Sequence, residues 1–383
     1  MVGTDERLAG VSPPPTVQGR PAWDRFAHWS KTPARILLAV LALLVVASAV
    51  VPIKARDHDV QTRNSFDILL NRNDKIAPRK RDDDLALYDI AIARIEKGDN
   101  YYDFIVGEQR KADYPVRPGL AVRLPTLAYI DAWLGFPGQV AAAILLMLGV
   151  VVAWWRKLGT EPGGKRRQAF GTAMMLIGAS LGANVSYFVL HELWAGMLLS
   201  LSLGLHRPGK WRGSFVAAAF ALAIRELALP YVMLMAAMSL LRGERREGLA
   251  WAALAVVFLG LLSIHLHIVS QQILPTDRTG QGWFYMRGLS GWLSNVVLSS
   301  NLRSFPHWLA GPLVIAMTFG WAGWRTREAE FATLLFLGYG LLFMLTGRGD
   351  NFYWGAIIAP PMFVGFAFAP MFARSLWRSA FSR

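Results

Sequence analysis

The 383 residues contain no cysteine, which excludes disulfides and thiolate catalysis. Neither a P-loop nor a glycine-rich Rossmann turn is present, so the chain carries no nucleotide-binding signature. No small-residue cleavage site follows the first apolar run, which therefore reads as an uncleaved anchor. No internal repeat is evident. Charge is sparse and one-sided: 17% of residues are charged, 26 acidic against 40 basic, for a net +14. An excess of that size can mark a nucleic-acid binder. Here the basic residues fall in short connections between apolar runs, where membrane orientation and anionic lipid account for them, so no nucleic-acid partner is expected.

What is abundant is apolar surface. At 54% hydrophobic residues and a mean hydropathy of +0.33, the composition is too apolar for an ordinary soluble domain. Fifteen tryptophans and ten tyrosines suit the aromatic belts of bilayer interfaces. Runs near the twenty residues needed to span a bilayer occur at Pro33–Ile53, Pro137–Leu158, Gln168–Leu190, Gly248–Ile268, Trp308–Trp324, Phe331–Thr346 and Gly355–Phe372. A shorter run, Glu192–Leu205, closes at His206-Arg207-Pro208-Gly209-Lys210-Trp211-Arg212. The next, Ser214–Leu241, is too long for one helix and is interrupted by Arg225-Glu226 and Pro230, so it is read as two short helices meeting at the charged pair. The expected fold is all-α and polytopic, with about ten transmembrane helices. Residues 1–32, with Pro13-Pro14-Pro15, form a loose cytoplasmic tail, and 33–383 form a single transmembrane domain.

Positive-inside bias supports that split. With both termini in the cytoplasm, sixteen basic residues lie in inside connections and the C-terminal tail, among them Arg156, Lys157, Arg242 and Arg378. Five lie outside after the first loop: Arg225, Arg278, Arg287, Arg303 and Arg348. Leaving Ser214–Leu241 whole would reverse every later connection and spoil the asymmetry.

The large polar segment 54–135 follows the first span and is read as an extracytoplasmic loop. It holds 14 of the 26 acidic and 14 of the 40 basic residues, so it is electrically balanced. It contains three consecutive carboxylates, Asp82-Asp83-Asp84. Residues Asp83–Lys97 have helical spacing, with Leu87, Ile90, Ala91, Arg94 and Ile95 along an amphipathic surface helix that Gly98 ends. Asp84 and Tyr88, four apart, share one face. On this topology the outer side also gathers His191-Glu192, Arg225-Glu226, the loop Val269–His307, and Gly347-Arg348-Gly349-Asp350-Asn351. Polar groups at or inside a bilayer are costly and usually line a cavity.

These residues resemble the GT-C superfamily of integral-membrane glycosyltransferases. The resemblance rests on Asp84-Leu85-Ala86-Leu87-Tyr88, the amphipathic helix, Gly98-Asp99-Asn100-Tyr101, Tyr114-Pro115, Arg123-Leu124-Pro125-Thr126 and Leu127-Ala128-Tyr129, all leading from the first span to the second. It implies a bacterial inner-membrane enzyme of the EC 2.4 class. Its sugar donor would be carried on a polyprenyl phosphate and its acceptor would be a lipid or glycan at the periplasmic face. The anomeric carbon would be inverted, and an Asp of the first loop would act as general base. Spacing to Tyr88 carries that role to Asp84, with Asp83 as the alternative; the run of three Asp departs from the one or two acidic residues of many members.

An ionised Asp taking the acceptor's proton is typically worth about 10²–10⁴-fold; the alternative for each Asp is a helix cap. The departing phosphate needs cations, and Arg225 and Arg348 are the first candidates, followed by Arg123, Arg287 and His191. Their alternatives are an ion pair with Glu226 for Arg225, headgroup contact for Arg348, and pairing with a loop carboxylate for Arg123. Glu192, Tyr88, Glu226 and Tyr285 are candidates for acceptor or sugar binding. Trp283, Phe284 and Trp292 suit either stacking on a sugar or interfacial anchoring. His265 and His267, two apart, point to different helix faces and suit an interface better than a metal. No cofactor is required, and a divalent cation is left open. The competing class is a lipid or glycan transporter or flippase, for which inverted repeats and helices broken at mid-membrane are expected.

Overall fold

The computed structural model describes residues 24–54, 83–160, 164–280 and 282–381, with side chains from residue 85 onward in the second segment. The chain is all-helical. Among the described residues there is no strand, only isolated bridges. Successive helices run back and forth between two ends of one bundle. We call these the near end, where the first helix begins, and the far end, where it finishes.

Helix α1 (Lys31–Val50) is followed, after the undescribed residues 55–82, by two polar-segment helices, α2 (Asp83–Glu96) and α3 (Tyr101–Lys111). Then come α4 (Thr126–Gly159), α5 (Gly164–Ala179), α6 (His191–Leu205), α7 (Arg212–Ile224), α8 (Leu229–Leu241) and α9 (Arg245–Ser270). Helices α10 (Gly288–Leu298), α11 (His307–Gly323) and α12 (Arg327–Leu345) precede a broken stretch, Gly349–Ala367, built of 3₁₀ and single-turn pieces, and a final helix α13 (Ala369–Phe381). Four helical stretches are long and apolar enough to cross a membrane: Lys31–Val50, Gly119–Gly159, Arg245–Ser270 and Arg327–Leu345. Their exteriors carry exposed aliphatic side chains, such as Ile36, Leu43 and Val46 on α1 and Val256, Val257 and Leu261 on α9. Water would not tolerate such a surface, and acyl chains would.

The polar segment folds on its own small core. Leu87 and Ala91 of α2 pack with Tyr101, Phe104, Ile105 and Val106 of α3, and with Val122, Ala128 and Val269. Asn100 caps α3 by accepting from the Tyr102 N–H. Arg94 and Asp99, 2.6 Å apart, tie the two helices at their corner. The α2 register differs from the expected one at Ile90, which is exposed while Leu87 and Ala91 face inward.

The break between α7 and α8 falls at Arg225, as expected. Pro230 occupies the first turn of α8, where its missing N–H and fixed φ are tolerated, whereas a continuous helix would lose a hydrogen bond there. Other boundaries differ. The second apolar run begins as helix at Thr126, eleven residues before Pro137, and turns at Gly135 (φ 60°). The loop 54–135 therefore already contains the first turns of α4. The run Gln168–Leu190 is not one helix: α5 stops at Ala179, and Asn184 opens a separate 3₁₀ turn by accepting from the Ser186 N–H. The last apolar run, Gly355–Phe372, is also broken, because Pro360 and Pro361 can only start a helical turn. This stretch is threaded between helices at very short range. A Cβ on Gly196 of α6 would collide with the Ala356 carbonyl, and one on Gly178 of α5 with the Pro360 carbonyl. The tail, expected to be loose to residue 32, is docked from Asp24 onward. Arg25 donates its backbone N–H to the Gly323 carbonyl (3.1 Å) and Phe26 is buried against Phe372.

Candidate functional site

At the far end, the segments expected to converge do so. Glu192, in the first turn of α6, lies 2.6 Å from Arg225 Nε, and both side chains are about 1% exposed. Arg225 is held in an extended conformation between α7 and the turn Glu226–Ala228, which also brings it onto Glu226. The Glu192–Arg225 approach is an ion pair without hydrogen-bond alignment. A second guanidinium, Arg123, sits 4.0 Å from the same Glu192 oxygen. It donates from Nε to the Tyr88 hydroxyl (3.1 Å) and from a terminal nitrogen to the Tyr353 hydroxyl (3.2 Å). Two cations thus share one buried carboxylate with a second carboxylate beside it, so the cluster is charge-balanced and burial is tolerated.

The cluster extends sideways through Tyr353. Its hydroxyl accepts from the Asn351 amide (3.3 Å), and the Asn351 side-chain oxygen accepts from the Arg348 backbone N–H (3.0 Å). Arg348 Nε lies 3.3 Å from Asp350, partly exposed. Arg287 reaches Asn295 (3.4 Å) and flanks Gly347. The His191 ring stands 5.1 Å from Tyr88, and neither of its nitrogens makes an aligned hydrogen bond among the described residues.

The structure therefore gathers Tyr88, Arg123, His191, Glu192, Arg225 and Glu226, and joins them to Arg348. Asp83 and Asp84 open α2, one turn ahead of Tyr88, with their side chains outside the description; Asp82 lies outside the described residues altogether. Tyr285 does not join the cluster by any contact. It is exposed beside Phe284 and Met286, with its backbone N–H donating to the Leu345 carbonyl.

Two expectations, for Trp292 and His265, are corrected. Trp292 is neither a stacking platform nor an anchor: it is buried against Gly340 of α12, where a Cβ would meet its ring at 2.8 Å. His265 is not interfacial. It is buried, 3.0 Å from the Tyr102 hydroxyl and 3.2 Å from the Val122 carbonyl, and it fastens the polar segment to α9. His267 alone is exposed, contacting Gln271. Among the described residues no three His, Asp or Glu side chains are placed together to hold a metal ion.

Tyr353 and Asp131 escape sequence reasoning, and Asn351 enters it only as part of the outer-side segment Gly347–Asn351. Asp131, on α4, is about 1% exposed, and both its carboxylate oxygens lack a hydrogen-bond partner among the described residues; the neighbouring acid is Asp89 of α2. The signal for Asp131 was present, a lone acid in an apolar helix start, whereas Tyr353 is one aromatic among many.

Fold and site together define an all-helical, membrane-suited protein with a buried ionic cluster at one end. Compared with known proteins, the chain matches no family model, no curated protein and no solved structure.

Proposed function

We propose that this protein is an inverting glycosyltransferase that moves a sugar from a polyprenyl-phosphate donor to an acceptor hydroxyl at the outer face of a bacterial inner membrane. The observation that carries this reading is Arg123. It ties Tyr88, one turn beyond Asp84, to the Glu192–Arg225 pair and, through Tyr353 and Asn351, to Arg348. A base and a set of phosphate-binding cations are the two halves such a reaction needs.

In the proposed step, Asp84 or Asp83 accepts the proton of the acceptor O–H as that oxygen attacks the anomeric carbon. The bond from that carbon to the phosphate oxygen breaks, and its electron pair leaves with the polyprenyl phosphate. Arg348, the more open cation, and the guanidinium donors of Arg225 not used by Glu192 and Glu226 meet the charge that develops. In this scheme the chain makes ten passes, with both termini cytoplasmic and the cluster periplasmic. A tag at Gly243 is then reached only from the cytoplasmic side, and labelling from outside would overturn the topology.

The test of function is transfer from a polyprenyl-phosphate-sugar donor by Asp84→Asn and Asp83→Asn. One of them loses about 10²–10⁴-fold in turnover. Full turnover in both removes the proposed base. The flippase reading draws on the broken stretches after α5 and at Gly349–Ala367, which resemble the discontinuous helices of transporters. Lipid crossing in reconstituted vesicles without sugar transfer would favour it.

A further inference from the structure

The near end carries a feature that sugar transfer does not use. Between the start of α5 and the final helix lies a cleft of about 310 Å³. Three arginines line it: Arg167 from α5, and Arg374 and Arg378 from α13, one helical turn apart. Among the described residues one carboxylate lines the cleft, Asp24; it accepts from the Phe26 backbone N–H (3.2 Å) and attracts Arg167. Pro370 and Met371 contribute apolar wall.

The arginine arrangement is unfavourable by itself. Like charges at i and i+4 on a helix repel, and neither Arg374 nor Arg378 makes an ion pair or side-chain hydrogen bond among the described residues. Arg167 lies over the Phe368 ring at 5.5 Å, so its position is fixed by the bundle. Counting the described residues, three arginines and one acid line the cleft, an excess of positive charge that falls on the neighbouring Arg374 and Arg378. An anion relieves that repulsion, and guanidinium groups suit phosphate oxygens because they present paired donors.

The helix that bears two of these arginines is strongly amphipathic. Phe372, Ser375, Leu376, Ser379 and Ala380 face the bundle, while Trp377 and Phe381 project outward with their rings 4.6 Å apart. Exposed aromatics beside arginines on one amphipathic helix are the composition of a helix lying in the headgroup layer. A cleft opening beside such a helix meets lipid headgroups.

We propose that this cleft binds the phosphate headgroup of an anionic phospholipid, with Arg167, Arg374 and Arg378 around the phosphate and Pro370 and Met371 against the glycerol region. The site stands at the opposite end of the bundle from the Arg123 cluster and does not depend on the glycosyltransferase reading.

The test is native mass spectrometry of the full chain in neutral detergent, titrated with phosphatidylglycerol, phosphatidylcholine or inorganic phosphate. The wild type is expected to retain phosphatidylglycerol at least tenfold more tightly than phosphatidylcholine. Arg374→Gln/Arg378→Gln loses that preference, and Arg374→Lys/Arg378→Lys recovers part of it. Both arginines are exposed, so the fold tolerates these changes. Equal retention of the two lipids by the wild type, or an undiminished preference in the Gln double variant, overturns the proposal. So does displacement of phosphatidylglycerol by millimolar inorganic phosphate, which would identify a site for free phosphate.

Discussion

Both ends of the bundle bury charge, but they treat it differently. At the near end, Lys157 donates to the His206 carbonyl (2.8 Å) and lies 3.5 Å from Glu328; His206 meets Glu247 at 2.8 Å, and the Trp251 indole N–H donates to that same carboxylate (3.2 Å). No buried side-chain atom of this network lacks a partner among the described residues. At the far end, both His191 nitrogens, Glu192 Oε1, Arg225 Nε, Arg348 Nε and the Asp131 carboxylate make no aligned hydrogen bond, although several lie within ion-pair distance. A saturated network has only structure to maintain. Buried groups with unused hydrogen-bonding capacity call for another account, and a ligand's polar atoms supply one.

The largest expected effect separates the two ends directly. Lys157→Met strands Glu328, and breaking a buried pair in this way costs about 3–5 kcal/mol. The thermal unfolding midpoint in detergent should fall steeply while donor affinity, measured on the surviving folded fraction, stays unchanged. Arg225→Met should lower both, with a smaller loss of stability and a clear loss of affinity for the proposed donor. Arg123 remains near Glu192, so the stability loss is about 1–3 kcal/mol, while donor affinity drops about tenfold to a hundredfold, or roughly 1.4–2.8 kcal/mol. Equal destabilisation by both variants, with binding of the proposed donor intact in each, would erase the distinction between the Lys157 network and the Arg225 cluster.

A smaller effect sharpens the picture within the far end. Tyr353→Phe removes the hydroxyl that links Arg123 to Asn351, worth about 1 kcal/mol. Its signature is a modest loss in donor affinity with little change in unfolding midpoint. An unaltered affinity would confine the proposed donor contact to Arg123 and Arg225.

The smallest effect concerns the polar segment. Asp277 pairs with Arg110 at 2.5 Å and accepts from the Leu274 N–H, which holds its carboxyl down at about 2. A carboxylate with a depressed folded value adds stability above its ordinary value of 3.8, and loses that contribution as pH falls toward 2. Asp277→Asn should flatten the acid limb of the unfolding profile between about pH 4 and pH 2 and leave neutral stability slightly lower. An unchanged acid limb would show that the pair contributes nothing.

Legibility followed local contrast. Arg225-Glu226 amid apolar residues, with Pro230 four positions on, announced both a helix break and a charged site, and the break occurs there. The α2 helix was legible from its spacing and from Gly98. The fate of Trp292 was not, because the notch that buries it is Gly340, on another helix. Tyr353 was hidden for a related reason: its hydroxyl matters only because the 3₁₀ turn after Gly349 swings it onto Arg123, 230 residues earlier in the chain. The early stop of α5 and the breaks in Gly349–Ala367 fall inside runs long enough to read as spans, where hydropathy registers burial but not the backbone turns that Asn184 and Pro360-Pro361 impose.

That last stretch bears on how the protein is made. Gly349–Ala367 fills a slot whose walls, α5, α6, α10 and α11, are all synthesised before it, and it touches them backbone to backbone at Gly178, Gly196 and Gly355. The slot has to stay open until that segment has itself been made. The close backbone contacts along this slot can form only once that segment arrives.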